Sequence, residues 1–308
     1  MLHLTANRII LAKIESTYGA DAAPTGSDAL RVQNLSHASF EADTVNRAHV
    51  VPWFGEQSKS HTKTHRKVSF EMQAYGSGDP GTAPVWGALL RACGFSESVT
   101  PDVSVTYLPM SGDNESLTLY YRQDGRLTKI TGARGKVTLS LASQALPVLK
   151  FEFTGLWSPV TQAALVTPAF PTAIDPQALT KLLTPTFTLH GHALAMKSLE
   201  VDFGIEVSYR NLVGYEGVNK TGAAVSANTQ CLLPELSTLD AETLAVNATR
   251  DALQLVHGTV AGNILEIQGT QVQVMSPKEA DDNGVRMLQC QLLFHPTSGN
   301  DEIRIISR

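Results

Sequence analysis

The chain has 308 residues, a net charge of −5, and 43% hydrophobic against 17% charged side chains. That length is enough for two cores, the balance is that of an ordinary globular protein, and the negative sum excludes a chain that grips nucleic acid through clustered lysine and arginine. Three cysteines, Cys93, Cys231 and Cys290, lie far apart; they fit neither a disulfide scaffold nor a metal spacing and read as reduced, structural thiols.

The opening, MLHLTANRIILAKIES, has an apolar core too short for a membrane span of roughly 20 residues and lacks a small-residue cleavage site. The expectation is a protein that folds in a cytoplasm, with no membrane partner. The four N-x-S/T sequons, at Asn34, Asn114, Asn219 and Asn247, then read as chance matches. Met1–Asp28 turns from apolar to a Gly/Pro/Ala/Asp stretch without period, which reads as an extended arm held only by something else. Three strand-like runs follow, over residues 29–35, 37–45 and 47–54. The polar, basic stretch Gly55–Lys67 (GEQSKSHTKTHRK) has no apolar anchor and reads as an exposed loop or the tip of a hairpin.

From Val68 the pattern is plain. Val68, Phe70, Met72 and Ala74 alternate with Lys67, Ser69, Glu71 and Gln73, and the same period of two marks Leu117–Tyr121, Val137–Leu141 and Leu149–Phe153. Charge on one face indicates antiparallel strands with one wet side. Between these runs, Val85, Trp86, Leu89, Leu90 and Cys93 form one helical stripe over residues 83–95, closed by Gly94. Residues 158–177 hold four prolines and no sustained period, so 158–178 reads as a linker.

The remainder repeats the plan. SANTQCLLPE (226–235) takes the place of the first alternating strand, and LDAETLAVNATR (239–250) that of the helix. LQLVHGTVAGNILEIQGTQVQVM (253–275) matches LTLYYRQDGRLTKITGARGKVTLSL (117–141) in burial and Gly turns. VDFGIEVSYR (201–210) reads as one strand, the Gly-rich stretch 214–228 stands where the basic loop stood, and EIRIIS (302–307) ends the chain as a strand. The expected fold is mainly β: two tandem β-sandwich domains, 29–157 and 179–308, each with a short flanking helix. Recurrence of this kind points to a part that stacks or rings with its own copies.

Several motifs invite chemistry and fail on context. Gly76-Ser-Gly78-Asp-Pro-Gly81 fits G-x-G-x-x-G, yet its strand carries charges, proline sits in the turn, and Asp79 would face the phosphates. His61 and His65 have the spacing of a helical zinc pair in a stretch with no helical pattern, and His190 and His192 have no third ligand. No G-x-S-x-G elbow, Walker loop or paired acidic motif occurs. Asp281 and Asp282 precede an Asn-Gly hairpin turn. The expectation is a non-enzyme without cofactor or metal.

Two segments resemble the tail tube proteins (major tail proteins) of long-tailed bacteriophages. They are IESTYGADAAPTGSDA (14–29) and GTAPVWGALLRACGF (81–95). The resemblance covers the first hundred residues by motif and the rest by plan. It implies β-sandwich domains whose sheets join around a ring into an inner barrel. Rings stack into a conduit for DNA, with a tape-measure protein in the lumen and tail-terminator and tip proteins at the ends. The site would be the virion, assembled in the host cytoplasm. It places an inter-ring contact loop at Lys59, His61, Lys63, His65 and Arg66, and arm contacts at Glu15, Tyr18 and Asp21. Two domains per chain would make the ring a trimer with pseudo-six-fold symmetry, carrying 3 × −5 = −15. Acidic candidates for the lumen wall are Glu71, Glu115, Glu152, Glu266 and Asp281. The alternative is another ring component of the tail, a terminator or a baseplate or tip protein, or a tube domain fused to a surface-decorating immunoglobulin-like domain.

Overall fold

A computed structural model describes residues 4–112, 114–170 and 175–308. Met1–His3 of the expected arm and residues 171–174 of the expected linker lie outside the described residues. The chain runs through β1 (Arg8–Ile14), β2 (Ser39–Asn46), β3 (Lys59–Gln73), the helix α1 (Gly87–Ala92), β4 (Phe95–Thr100) and β5 (Ser104–Pro109). Then come β6 (Leu117–Gln123), β7 (Arg126–Ala142), β8 (Val148–Leu156) and the short β9 (Thr161–Gln162). The second half holds β10 (Thr186–Leu189), β11 (His192–Ala193), β12 (Met196–Asp202), β13 (Glu206–Leu212), β14 (Tyr215–Gly222) and β15 (Ser226–Leu232). It closes with α2 (Ala241–Val246), β16 (Arg250–His257), β17 (Leu265–Asp282), β18 (Val285–Phe294) and β19 (Arg304–Ser307).

The protein is mainly β. Seventeen strands belong to one network, with the β13–β14 hairpin apart from it. Its ladders are antiparallel, as the charged alternation requires. One pairing order occurs twice: β3–β8–β7–β6 in the first half and β15–β18–β17–β16 in the second. In each case a helix follows the first of these strands in sequence. The long strands β7 and β17 each serve two sets of partners. The N-terminal part of β7 pairs with β6, and its C-terminal part with β8 and β12. The turns follow their sequences. Asn283 and Gly284 both take positive φ, 55° and 85°, as a two-residue hairpin with native strand twist needs.

The halves are joined by β12, which pairs with β15 on one side and with β7 on the other, Ser198–Asp202 against Thr138–Ala142. A second joint brings β19 onto β5, with Ile305 opposite Tyr107. One hydrophobic cluster runs through both halves, from Ile10 to Ile305. Phe70, Phe151 and Phe153 stack within it at centroid separations of 5.7–5.9 Å. α1 covers this core with Trp86, whose indole N–H donates to the Tyr75 carbonyl at 2.8 Å. It is shorter than its sequence stripe, ending at Cys93 with Gly94 at φ 89°. α2 is likewise short and starts at Asp240, whose carboxylate accepts from the Thr243 N–H at 3.0 Å.

Several expectations are corrected. The run 201–210 is not one strand: Gly204, at φ 57°, breaks it into β12 and β13. The stretch 214–228 is mostly β14 and the start of β15 rather than loop. Residues 29–35 and 47–54 form no strand: the first run makes only isolated bridges at Ala29 and Gln33 and the second is the loop, whereas most of Gly55–Lys67 belongs to β3. Polar residues alone can alternate in a hairpin whose two faces are both wet, so KSHTKTHRK carries no apolar mark of its pairing.

Two outcomes follow from this core. Phe70 is 1% exposed, so Phe70→Asp places an unpaired charge against the Phe151 and Phe153 rings, at a cost of several kcal/mol. Soluble expression should be lost, as checked by the soluble fraction after lysis. His257 ends β16 in a buried setting, with Nδ1 2.9 Å from the Thr184 hydroxyl and Nε2 3.0 Å from the Gln177 carbonyl. Burial holds its pKa below the ordinary value near 6.5, outweighing the backbone contacts that favour the cation. The folded state therefore prefers the neutral ring. That stability is present above about pH 6.5 and lost as pH falls through the lower folded-state value. Thermal melts should show His257→Gln losing less stability than the parent between neutral pH and pH 5.

Candidate functional site

Eight strands in unbroken order, β2–β3–β8–β7–β12–β15–β18–β17, form a sheet that crosses both halves. Period-two alternation gives it two unlike faces. One is the core side of Phe70, Phe151, Leu139, Val201, Ala227 and Leu292, all buried. The other is polar and continuous. Along one row of opposed residues it reads Glu71, Lys150, Thr138, Asp202 and Ser226. The next row reads Gln73, Val148, Ser140, Glu200, Asn228 and Gln291. Amides and hydroxyls predominate, and the charges are mixed: Glu71, Glu152, Glu200 and Asp202 among Lys67, Lys136, Lys150 and Lys278. Lys136 and Glu152 pair at 3.2 Å.

The five acidic candidates do not share this face. Glu71 and Glu152 lie on it, with Glu71 accepting from the Asn34 amide at 2.7 Å. Glu115 is outside the strands and takes a two-pronged contact from Arg91, 2.6 Å to each oxygen. Glu266 is buried between β16 and β19. Burial pushes its pKa up, but the Gln254 and Gln268 amides and the Arg308 guanidinium, at 2.6–2.8 Å, outweigh this and hold it below the ordinary range. Asp281 sits at the tip of the β17–β18 hairpin, where it accepts from the Gly284 N–H at 3.3 Å.

The sheet also extends into the long β2–β3 hairpin. Lys59, His61 and Lys63 are exposed on it; Lys63 pairs with Asp43 at 3.0 Å, and His61 meets Phe40 edge-on at 5.9 Å. His65 and Arg66 are committed within the chain. His65 stacks on Tyr209 of β13 at 4.7 Å, and buried Arg66 donates to the carbonyls of Ala38 and Ser158 at 3.4 and 3.1 Å. The connecting residues 47–58 hold Val50 and Phe54 fully exposed and Trp53 69% exposed. Apolar side chains are thus clustered at the exposed end of a polar stalk. The run VVPWF, with proline inside it, was the signal for a loop here, because proline cannot donate to a ladder.

The N-terminal segment, expected as an arm, is tied into its own chain wherever it is described. β1 pairs along all of β6, and Ile10 and Leu11 are fully buried. Glu15 is the fixing point. Its buried carboxylate accepts from the Thr118 hydroxyl and the Gly132 N–H on one oxygen, and from the Ser116 hydroxyl and the Gly19 N–H on the other, at 2.6–2.8 Å. The Tyr18 hydroxyl accepts from the Val218 N–H of β14 at 2.6 Å, while the Arg134 guanidinium lies over its ring at 4.8 Å. Asp21 takes the Tyr120 hydroxyl and the Lys129 ammonium at 2.6–2.7 Å. Partial burial pushes the Asp21 pKa up, and these two donors more than reverse it.

The motifs set aside on context have structural places. The G-x-G-x-x-G segment lies on the second half: the Gly76 N–H donates to the Asn263 side chain at 2.9 Å, and the Gly78 N–H to the Gly262 carbonyl at 3.0 Å. A Cβ on Gly76 would fall on the Gly262 carbonyl oxygen, and one on Gly262 on that of Gly78. These glycines let two backbones touch. His190 is buried, with Nε2 2.8 Å from the Val272 carbonyl. Among the described residues, no group of three or more His, Cys, Asp or Glu side chains is placed to hold a metal ion. Among the same residues no helix is long and apolar enough to cross a membrane.

No protein-family model matches the chain, and no curated protein matches it in sequence. Glu15→Ala would leave four buried or half-buried donors without an acceptor. It should lower stability by about 2–4 kcal/mol, read as the shift in urea midpoint, with hydrogen exchange in β1 rising first.

Proposed function

We propose that this chain is a structural subunit of a bacteriophage tail tube, assembling with its own copies into stacked rings that conduct DNA. The observation that carries the reading is the eight-strand antiparallel sheet with one continuous polar face and an open edge at either end. On this reading residues 29–157 and 179–308 are two tandem tube modules, and the repeated pairing order supports that division. A soluble chain with open edges on a large sheet is an aggregation hazard unless its own copies cover them. A closed ring covers them and turns the polar face inward.

The dimensions are consistent with a conduit. Three copies of eight strands make 3 × 8 = 24. At a spacing of roughly 4.8 Å, such a barrel has a circumference of about 115 Å and a diameter of about 37 Å before strand tilt widens it. Barrels of fewer strands already leave an aqueous channel. The mixed, amide-rich face supports passage in its own way. It lacks the clustered cations that would hold phosphates through counterion release, and its hydrogen-bonding groups are scattered. The acidic sum of the chain is spread over other surfaces, so repulsion by an acidic wall is not the basis of the proposal. The apolar tip at Val50–Phe54 is the contact from one ring to the next. The implied partners are further copies, DNA and a tape-measure protein in the lumen, and terminator and tip proteins at the ends. The implied place is the virion, and no catalysis or cofactor is assigned.

Negative-stain microscopy of the purified chain tests this. Long hollow rods are expected, and isolated rings would instead favour a terminator or tip component. Trp53→Ser with Phe54→Ser removes only exposed apolar surface. The double variant should keep the parent melting temperature while rods shorten to single rings or short stacks. Full-length rods from it would remove the tip from the inter-ring contact.

A further inference from the structure

The two halves of this chain are already joined to each other, and that internal joint is a template for a joint between copies. We propose that the outer edge of β17 on one copy pairs antiparallel with the segment Arg31–Leu35 of the next copy, with Lys278 opposite Gln33. This rests on the reading above, that the chain assembles through the open edges of its sheet.

The register comes from equivalence between the halves. Phe151 opposes Phe70 in the first half as Leu292 opposes Ala227 in the second. Carried along the ladders, Lys150 matches Gln291, Val148 matches Gln289, and Glu71 matches Asn228. On β7, Ser140 opposes Val148; on β17, Lys278 opposes Gln289. Ser140 and Lys278 are therefore equivalent. On the other side of the joint, Glu200 opposes Asn228 while Gln33 bridges Glu71, so Glu200 and Gln33 are equivalent. Within the chain, Ser140 and Glu200 are directly opposed. Between chains, the same joint puts Lys278 opposite Gln33, both on the polar face.

Four features of the two edges agree. Among the described residues no strand pairs with the outer side of Val274–Asp282, against which α2 packs without forming a ladder, and Gln33 turns both its backbone groups toward Glu71, at 2.7 and 2.9 Å, leaving its neighbours to face outward. A trough of about 700 Å³ opens along Arg31–Leu35, its far wall formed by Leu165, Val166 and Phe170. Strand direction also fits. Eight antiparallel strands begin and end in opposite senses, so every added copy continues the alternation. The β17 edge is guarded by the Ser276–Pro277 irregularity and by Lys278, devices that bar indiscriminate pairing and leave a specific partner.

Gln33 and Lys278 are exposed, and the three native cysteines are buried, so cysteines at these two positions report the joint directly. Opposed residues of an antiparallel pair lie within disulfide reach. Gln33→Cys and Lys278→Cys are made singly and together, assembled, oxidised and run on non-reducing denaturing gels. The double variant should shift from monomer to dimer and a closed covalent trimer. The equimolar mixture of single variants should stop at dimer, and each single variant alone should remain monomer. Rods or rings without cross-links would overturn the joint while leaving the tube reading standing. A chain that stays monomeric by light scattering would overturn both. Efficient cross-linking of Asn34→Cys with Lys278→Cys in place of Gln33→Cys would overturn the register.

Discussion

The seam between β7 and β12 is the constraint on which the rest of the structure depends. Five opposed residue pairs there satisfy the backbone groups of two strands that would otherwise be edges. Once that ladder forms, two four-strand arrangements become one sheet, their inner faces share a core, and their outer faces share a polar surface. Because side chains alternate with a period of two, the seam also fixes which residues face which way on all eight strands. A slip of one residue would bury Glu200 and expose Val201.

Much of this was readable from the sequence, and the reasons are physical. Strands with one dry and one wet face announce themselves, so β3 beyond Val68, β7, β8 and β15 were legible, as were the stripe and Gly94 stop of α1; β6 alternates in sequence too, but it is buried on both faces from Leu117 to Tyr121. The recurrence of burial and Gly turns across the two halves was legible too, because it is a pattern of local signals. What stayed hidden is long-range or two-sided. The outer half of β3 is wet on both faces. The stretch after β1 lacks period because Glu15, Tyr18 and Asp21 hold it by polar contacts at isolated positions, which leave no repeating mark. The acidic candidates were chosen by charge alone, and charge does not say that Glu115 belongs to Arg91 or Glu266 to Arg308.

The two halves differ most in what they do with equivalent hairpins. β2–β3 stands out from its half with an exposed tip. β13–β14 breaks from its sheet at Gly204 and lies against the first half, where Tyr18, Arg134 and the Lys220 ammonium hold it; Lys220 reaches the carbonyls of Gly94 and Met110 at 3.2 and 3.0 Å. Burial holds the Lys220 pKa below its ordinary value, a cost offset by these two carbonyls. One hairpin thus serves cohesion within the chain, while the other presents Val50, Trp53 and Phe54 to solvent.

The backbone contact between Gly76–Gly78 and Gly262–Asn263 has an evolutionary consequence. Neither side can acquire even a methyl group without pushing the other away, so the two halves are free to diverge at most positions but not at this one. Any replacement of either segment would have to bring the same bare backbone at the same height, or the two halves would be pushed apart.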